Sequence, residues 1–529
     1  MDTWHETDGV PWLHLGRSDG GPAVAGVVLG RGRAHQSVAG LGSIDAAAEV
    51  VRRELARPVE TDRGVQQLQV AVTPGLEDTL VVVAGAPDDL AARLARLDAG
   101  LREPARLDLA AASRAQPAEG LRGWPRELEA WFGAGPASLS AELSPRRSGE
   151  EEVVTQALQA WSPTRGCPVV AFTTDPGLVG SAFAADGALP APAPLRWRDR
   201  GPESVVPSFA NNVLSARSPD TLAARVAQQV LIHTVNRALA ISGEAQGLAV
   251  GTVAAGGEWL LTLQARTDDG YDRASAHRAV VSALEICREP GADELATHLA
   301  TVRGEESTRT LLGIVSMASR TLQTGRQQST LELLGELDRL EEGAVRRDLA
   351  TLLDQLLLGL PAGVPAPAAF PLQPVPDLPE GRGRTSTHRS ALLLPATDGR
   401  QLRTDVTRRG DVLTVRTGVG RHAVDASSAA VDLSRTVARV DRGETYTVLV
   451  DEEGRRAAIP WLAIGGTAAL RRAMDEAVPP ERRLRLPADP QYDHFVTDRR
   501  RLARRILWTV GVTMLLVVVF IIVMENTVG

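Results

Sequence analysis

Residues 22–32, PAVAGVVLGRG, followed at 43–55 by SIDAAAEVVRREL, decide the fold class. The first stretch is an unbroken apolar run closed by a Gly-Arg-Gly turn, which is the pattern of a buried strand. The second places apolar residues at helical spacing among charged ones, which is the pattern of an amphipathic helix. Reading onward, VQQLQVAVTPG (65–75) and DTLVVVAGAP (78–87) form two strands around a tight turn. DDLAARLARLDAGLREP (88–104) is a second helix.

The same order returns further along. ESVVPSFANNVLSA (203–216) is strand-like, and PDTLAARVAQQVLIHTVNRALAI (219–241) is a long amphipathic helix. GLAVGTVAAGG (247–257) and EWLLTLQART (258–267) form the next strand pair, and YDRASAHRAVVSALEICREP (271–290) the next helix. Strand, helix, strand, strand, helix thus occurs twice, about 180 residues apart, and an internal duplication of an α+β unit is the economical account. LREP at 101–104 even answers CREP at 287–290. The expected organisation is a first α+β half over 1–190 and a second over 195–360.

From Leu360 the chain turns to LPAGVPAPAAFPLQPVPDLPEGRG, and so many prolines exclude a helix or a central strand, so an extended linker is expected over 361–388. Beyond it, DVTRRGDVLTVRT (405–417) and TYTVLVDEEGRRAAIPW (445–461) are short β patterns split by Gly and Asp turns, and GTAALRRAMDEAV (466–478) closes them as a helix. A small β domain resembling a pleckstrin-homology-like module is therefore expected over 389–485.

A juxtamembrane segment at 486–505 leads to ILWTVGVTMLLVVVFIIVM at 506–524, which carries no charge. At 1.5 Å per residue it spans roughly 28 Å, enough for the hydrocarbon core of a bilayer. Ile506, Trp508, Phe520 and Met524 mark this span, and Arg499, Arg500, Arg501, Arg504 and Arg505 flank it. Arginines stay on the cytoplasmic side, so the expectation is a single-pass protein of the cell membrane, its bulk cytoplasmic and its C-terminus outside. The lipid bilayer is the expected partner of the arginine cluster.

The 58 basic residues are all arginine, for the chain has no lysine. A P-loop lysine and a Schiff-base lysine are thereby excluded. Cys167 and Cys287 lie in apolar contexts and read as buried, reduced thiols, too few for a zinc site of cysteines. No histidine stands three to five residues from another, so no helical turn offers two imidazoles to one metal. His233 and His298 read as surface or core-edge residues. GLGS (40–43) and ISGE (241–244) are not nucleophile elbows, and the Gly30-Arg31-Gly32 turn lacks the rest of a dinucleotide fingerprint. Arginines interspersed with acids and 4% aromatic content argue against nucleic acid as a partner.

GVVLGRGRAHQSVAGLGSIDAAAEVV (26–51) resembles the opening of the pitrilysin/insulinase metallopeptidases, relatives of the mitochondrial processing peptidase. DTLVVVAGAPDDLAARLARL (78–97), TRGCPVVAFTTDP (164–176) and GLAVGTVA (247–254) extend the resemblance over roughly residues 10–365. It implies tandem α+β halves of the LuxS/processing-peptidase-like metallohydrolase fold. With Gly40-Leu41 laid on the family's Gly-Leu, Ser43, Ala46 and Ala47 stand where the two histidines and the glutamate of H-x-x-E-H belong. Serine and alanine can neither hold zinc nor activate water, and neither H-x-x-E-H nor H-E-x-x-H occurs elsewhere in the chain. Val250 stands where the family often has the tyrosine of its substrate-positioning pair, and Arg237 is a distant candidate for the arginine.

The expected function is thus a membrane-anchored, non-catalytic, insulinase-like scaffold or partner subunit with no cofactor. Its partner would be a peptide, a protein or a catalytic relative. One alternative is an active zinc peptidase with ligands drawn from His14, His35, Asp45 and Glu49. Another is a membrane-tethered adaptor working through its small β domain.

Overall fold

A computed structural model gives the tertiary structure. It describes residues 2–16, 22–36, 40–57, 69–114, 125–133, 135–138, 151–184, 195, 197–198, 204–208, 212–243, 247–266, 273–307, 311–361, 381–383, 385–389, 405–417, 420–425, 431–436, 445–451, 456–460, 472, 476, 478 and 483–484. The chain divides into two units, Met1–Pro376 with Glu452–Gly454, and Asp377–Asp451 with Arg455–Gly529.

The first unit begins with β1 (Asp2–Thr7), β2 (Val10–Leu15), β3 (Ala23–Leu29), α1 (Ser43–Ala56), β4 (Gln69–Pro74), β5 (Thr79–Gly85), α2 (Pro87–Arg102), α3 (Pro125–Phe132), α4 (Glu151–Ala160) and β6 (Val169–Thr173). Its strands form one sheet in the order β1-β2-β6-β3-β5-β4. There follow β7 (Ser204–Ser208), β8 (Asn212–Ser218), α5 (Leu222–Ser242), β9 (Gly247–Ala255), β10 (Glu258–Arg266), α6 (Arg273–Cys287), α7 (Ala292–Ser307), α8 (Leu311–Thr324), α9 (Thr330–Leu337), α10 (Glu342–Asp354) and β11 (Leu356–Pro361). The second sheet runs β7-β11-β8-β10-β9.

The two orders are one topology. Replacing β2, β3, β4, β5 and β6 by β7, β8, β9, β10 and β11 converts the first into the second, with β1 added at the first sheet's edge. The pairing sense repeats as well: β2–β6 and β7–β11 are parallel, and the other equivalent pairs are antiparallel.

The sequence reading places β3, β4, β5, β9 and β10 and omits β1, β2, β6 and β11, of which β6 and β11 are inner strands. β1 and β2 form a hairpin turned by Asp8 and Gly9, both with positive φ (51° and 74°), the conformation an Asp-Gly hairpin turn uses. The stretch 203–216, expected as a single strand, is two, β7 and β8, and β11 lies between them in the sheet. The expected linker also loses its ends. Pro361 closes β11, and Thr385–Arg389 is a strand of the second unit. Thr385, Ser386 and Thr387 are exposed, so no apolar alternation announced it.

Continuous apolar strands follow from burial on both faces. Along β3, Ala25, Val27 and Leu29 join a core with α1, α2 and α4, while Val24 and Val28 join a second core on the opposite face. That second face is covered by α8, whose Met317, Ala318 and Leu322 come from the second half, between β10 and β11 in the chain. The exchange is reciprocal. α3, which precedes β6 in sequence, lays Leu128 and Trp131 against Leu260 of β10 and Leu357 of β11 on the far face of the second sheet.

Helix ends carry ordinary signals. α2 opens with Pro87, Asp88 and Asp89, a start that suits the exposed amides and positive pole of a helix N-terminus. Thr221 caps α5 through Ala224 N (2.9 Å), and Gly243 ends that helix at φ 72°. Ser329 and Glu332 form a capping box on α9.

The second unit contains β12 (Thr385–Arg389), β13 (Asp405–Arg409), β14 (Val412–Thr417), β15 (Gly420–Asp425), β16 (Val431–Thr436), β17 (Thr445–Val450), β18 (Arg456–Pro460) and β19 (Arg483–Leu484). They make two four-stranded sheets, β12-β13-β14-β15 and β18-β17-β16-β19. Val406, Leu413, Val415, Val424, Leu449 and Ala457 are buried there. Arg472 and Glu476 are helical, within the stretch expected as the closing helix.

Among the described residues no helix is long and apolar enough to cross a membrane. The expected span at 506–524 and the arginines at 499–505 lie outside the described residues.

Candidate functional site

The candidate site is the first turn of α1. β3 ends at Leu29, and Gly30-Arg31-Gly32 leads into a 3-10 turn at Arg33–His35. Gly32 admits the crossing there, since a Cβ on it would lie 2.6 Å from Leu76 O. Gly42, at φ 86°, then starts α1. Its amide donates to Gln36 Oε1 at 3.0 Å, and the Ser43 hydroxyl approaches the same oxygen at 3.4 Å.

The three positions that the resemblance assigns to H-x-x-E-H belong to the interior. Ser43 is 7% exposed, Ala46 4% and Ala47 0%. Ala46 and Ala47 pack with Ile44, Val50 and Val51 in the core that α1 shares with β3. The acids near them are engaged. Asp45 accepts from Arg33 Nη2 at 2.6 Å and Nε at 3.2 Å, and Arg33 Nη1 donates to Pro74 O at 2.6 Å. Arg33 is itself 3% exposed, so the ion pair is an interior tie between turn, helix and the end of β4. Glu49 accepts from Arg52 and from Arg53, each at 2.7 Å. Partial burial opposes its ionisation, but those arginines prevail and hold its carboxyl below the ordinary range.

The alternative ligand set does not assemble. His14 is at the C-terminal end of β2, opposite Thr173, and Thr173 in turn lies opposite Ala25 near the start of β3. His35 follows the other end of β3, so the two imidazoles lie at opposite ends of the sheet. His14 instead neighbours His5, with ring centroids 6.4 Å apart, and accepts or donates at Thr3 Oγ1 (3.3 Å). Burial first and His5 second push its pKa down. His35 Nδ1 accepts from Gly32 N at 3.1 Å. Among the described residues no three His, Cys, Asp or Glu side chains are grouped to hold a metal.

Val250 lies on β9 opposite Leu263 of β10 and is 46% exposed; Arg237 is exposed on α5. Cys167 and Cys287 are buried and free, and burial pushes their thiols up to about 12 and about 11. His233 is exposed on α5, whereas His298 is buried on α7, 7% exposed.

Sequence reasoning missed the open edges. Among the described residues β4 and β9 pair on one side only, with β5 and β10. The turn at Gly75–Asp78, closed by Gly75 N donating to Asp78 O at 2.7 Å, fixes which β4 amides face outward. Alternation from that pair turns the backbone amides of Val70 and Val72 away from β5, and also the Pro74 carbonyl, which Arg33 meets. α1 packs beside β4. The usable signal was Pro74 itself, a residue tolerated where a strand's amide has no ladder partner.

No family model and no curated protein matches this chain. Solved structures do. A chain of Complex III2 from Candida albicans, with Inz-5 bound, superposes with a TM-score of 0.51 at 12% identity, over 68% of this chain and 95% of that one. A protein of Alicyclobacillus acidocaldarius described as an M16-like peptidase gives 0.47 at 10% identity, over 68% and 98%. An insulinase family protease of Yersinia pestis gives 0.42 at 15%, over 70% and 94%. The solved neighbours thus include insulinase and M16-like peptidases at low identity, and the likeness is one of fold.

Proposed function

We propose that this chain is a non-catalytic protein of the insulinase-like fold that binds an extended peptide or a partner protein while anchored to a membrane. The observation carrying the reading is the state of α1. Residues 43, 46 and 47 are core positions, Asp45 is bound by Arg33, and Glu49 by Arg52 and Arg53. A hydrolytic zinc needs protein ligands, an open coordination position and a base beside it. The first turn of α1 offers none of these from the side chains it carries.

Binding is supported by β4 and β9, each the last strand of its sheet among the described residues, a position that suits the addition of an extended strand. Partners would include a peptide, a protein or a catalytic relative. The small β domain would serve as a pleckstrin-homology-like module. Residues 506–524 would cross the bilayer with Arg499, Arg500, Arg501, Arg504 and Arg505 on its cytoplasmic face. Loss of residues 506–529 is expected to release the protein from membranes in alkaline wash, and retention would count against the anchor.

The deciding experiment incubates the full chain in detergent with a random peptide pool and added zinc. Capture of peptides with no cleavage is the expected result. Cleavage that stops on chelation and in His35→Ala would overturn the proposal in favour of an active peptidase. Peptide capture lost on removing residues 389–485 would move binding to the small β domain.

A further inference from the structure

The turn Gly75–Asp78 between β4 and β5 enters a junction of both halves. Leu76 is 0% exposed and packs with Leu128 and Trp131 of α3 and with Leu260 and Leu357 of the second sheet. Glu77, 4% exposed, accepts at Oε1 from Leu195 N in the segment that joins the halves, and at Oε2 from Gly256 N (2.8 Å) in the turn between β9 and β10. Asp78 accepts from the Ser319 hydroxyl of α8. Three successive side chains thus fasten one first-half turn to the connecting segment and to a hairpin turn, a helix and the sheet of the second half. The same turn accepts from Arg33 N at Gly75 O (3.1 Å) and from Ala34 N at Leu76 O (2.8 Å), which bonds it to the approach to α1.

Among the described residues neither carboxyl meets a cation. In the elements packed around them, Arg33 is bound to Asp45, Arg320 to Asp220 and Arg217 to Glu258. The Arg198 guanidinium lies against Gly133, Arg31 stands by Cys167, and His35 Nδ1 accepts from Gly32 N. On α3 the described charged side chains are Glu127 and Glu129. Burial pushes both carboxyls up, Asp78 to about 6, and Asp78 adds to the effect on Glu77. Ionising both sets two adjacent negative charges in the junction without a counter-charge. We propose that the Gly75–Asp78 turn is a latch between the two halves, closed while Glu77 and Asp78 carry their protons and released as they ionise. The closed junction binds these protons more tightly than an open one, so closure is favoured most below about pH 4 and weakens as pH rises through about 6. Against an ordinary aspartate of about 4, Asp78 alone sets a limit of about a hundredfold on that change. Release frees Leu195 and Gly256 and brings water to Leu76 and Trp131. The latch does not rest on the non-catalytic reading of α1.

The test is hydrogen exchange of the full chain in detergent from about pH 4 to about pH 7, corrected for intrinsic rates and read on peptides holding Leu195, Arg198 and Gly256. Protection there should fall about tenfold or more as pH rises. Low urea should leave that exchange unchanged while it speeds exchange in β3, the mark of a local opening. Asp78→Asn keeps both bonds of Glu77 and should cut the pH response by about threefold or more. Glu77→Gln/Asp78→Asn should abolish it. An equal pH response in the wild type and in Asp78→Asn would overturn the proposal. So would junction exchange that rises with urea as steeply as exchange in β3, because the halves would then part only on global unfolding.

Discussion

The Trp131 indole N–H donates to Ser215 Oγ at 2.9 Å, joining α3 of the first half to a central strand of the second sheet. Trp131 is 1% exposed and meets Trp197 edge-on at 5.5 Å between centroids. The helix that makes this bond covers a sheet to which its own half contributes no strand, and α8 does the same in return.

Trp131→Ala is therefore expected to cost about 3–5 kcal/mol, since a large buried side chain leaves a cavity. Ser215→Ala should cost about 1–3 kcal/mol by leaving the indole N–H without its acceptor. Denaturant midpoints measure both. Because the covering helices are exchanged, tryptophan fluorescence and far-UV signal from the first unit should change in one transition. Two separated transitions would show that the halves unfold independently.

Arg33 and Asp45 predict a strongly coupled pair. Arg33→Met strands a partly buried carboxylate and also frees Pro74 O, a loss of about 3–5 kcal/mol. Adding Asp45→Asn should restore part of that loss, so the double variant is less destabilised than the sum of the singles. Additive losses would mean that the 2.6 Å contact contributes little.

Asp78 predicts the pH dependence. Burial pushes its carboxyl up to about 6, well above the ordinary aspartate range, and the Ser319 hydrogen bond offsets only part of this. The folded chain thus holds this proton more tightly than the unfolded chain. The stabilising contribution is full below about pH 4 and is lost as pH rises through about 6. Glu77, 4% exposed, shifts the same way through burial while accepting from Leu195 N and from Gly256 N at 2.8 Å. Asp78→Asn should flatten the slope of stability between pH 4 and 7, and stabilise the protein by about 1–2 kcal/mol at pH 8. An unchanged slope would remove Asp78 from the account.

Gly26 lies where the Phe172 ring crosses β3. A Cβ there would come 2.5 Å from Phe172 Cζ and closer still to the backbone oxygen of Val81. Gly26→Ala is expected to destabilise by about 1–3 kcal/mol or more. Phe172→Leu in the same chain should recover only part of this, because the Val81 carbonyl cannot move aside as a side chain can.

Val72→Pro tests the open edge of β4. Its amide faces away from β5, so the substitution keeps the ladder bonds while removing a donor that an added strand needs. Peptide affinity should fall about tenfold with the Tm little changed. Unchanged affinity would take β4 out of the binding surface and leave β9, where Val250 and Thr252 are exposed.

Much of this was legible in particular residues. The run at 23–29 reads as a doubly buried strand because every position is apolar or glycine, and both faces do carry cores. Asp8-Gly9, an Asp-Gly pair between two strands, was a hairpin signal that passed unread. The run VVAFT at 169–173 has no alternation to show which strands flank it, and it inserts between β2 and β3 from more than a hundred residues away. At the candidate site, the lack of any histidine from 36 to 56 was plain. That Arg33 would hold Asp45 was not, for nothing in an arginine twelve residues upstream of an aspartate specifies contact.

By itself the sequence determined the mixed α+β class, the repeated order of strand, helix, strand, strand and helix, and the absence of a zinc-binding pair on α1. Those are properties of periodicity and residue type, which act over a few turns of chain. Only the tertiary structure decided the shared strand order of the two sheets, the exchange of α3 and α8, the separation of His14 from His35, and the junction that Glu77 and Asp78 make between the halves. Each depends on which apolar faces find one another, and burial is non-directional, so partners distant in sequence are selected by the packing of the whole unit.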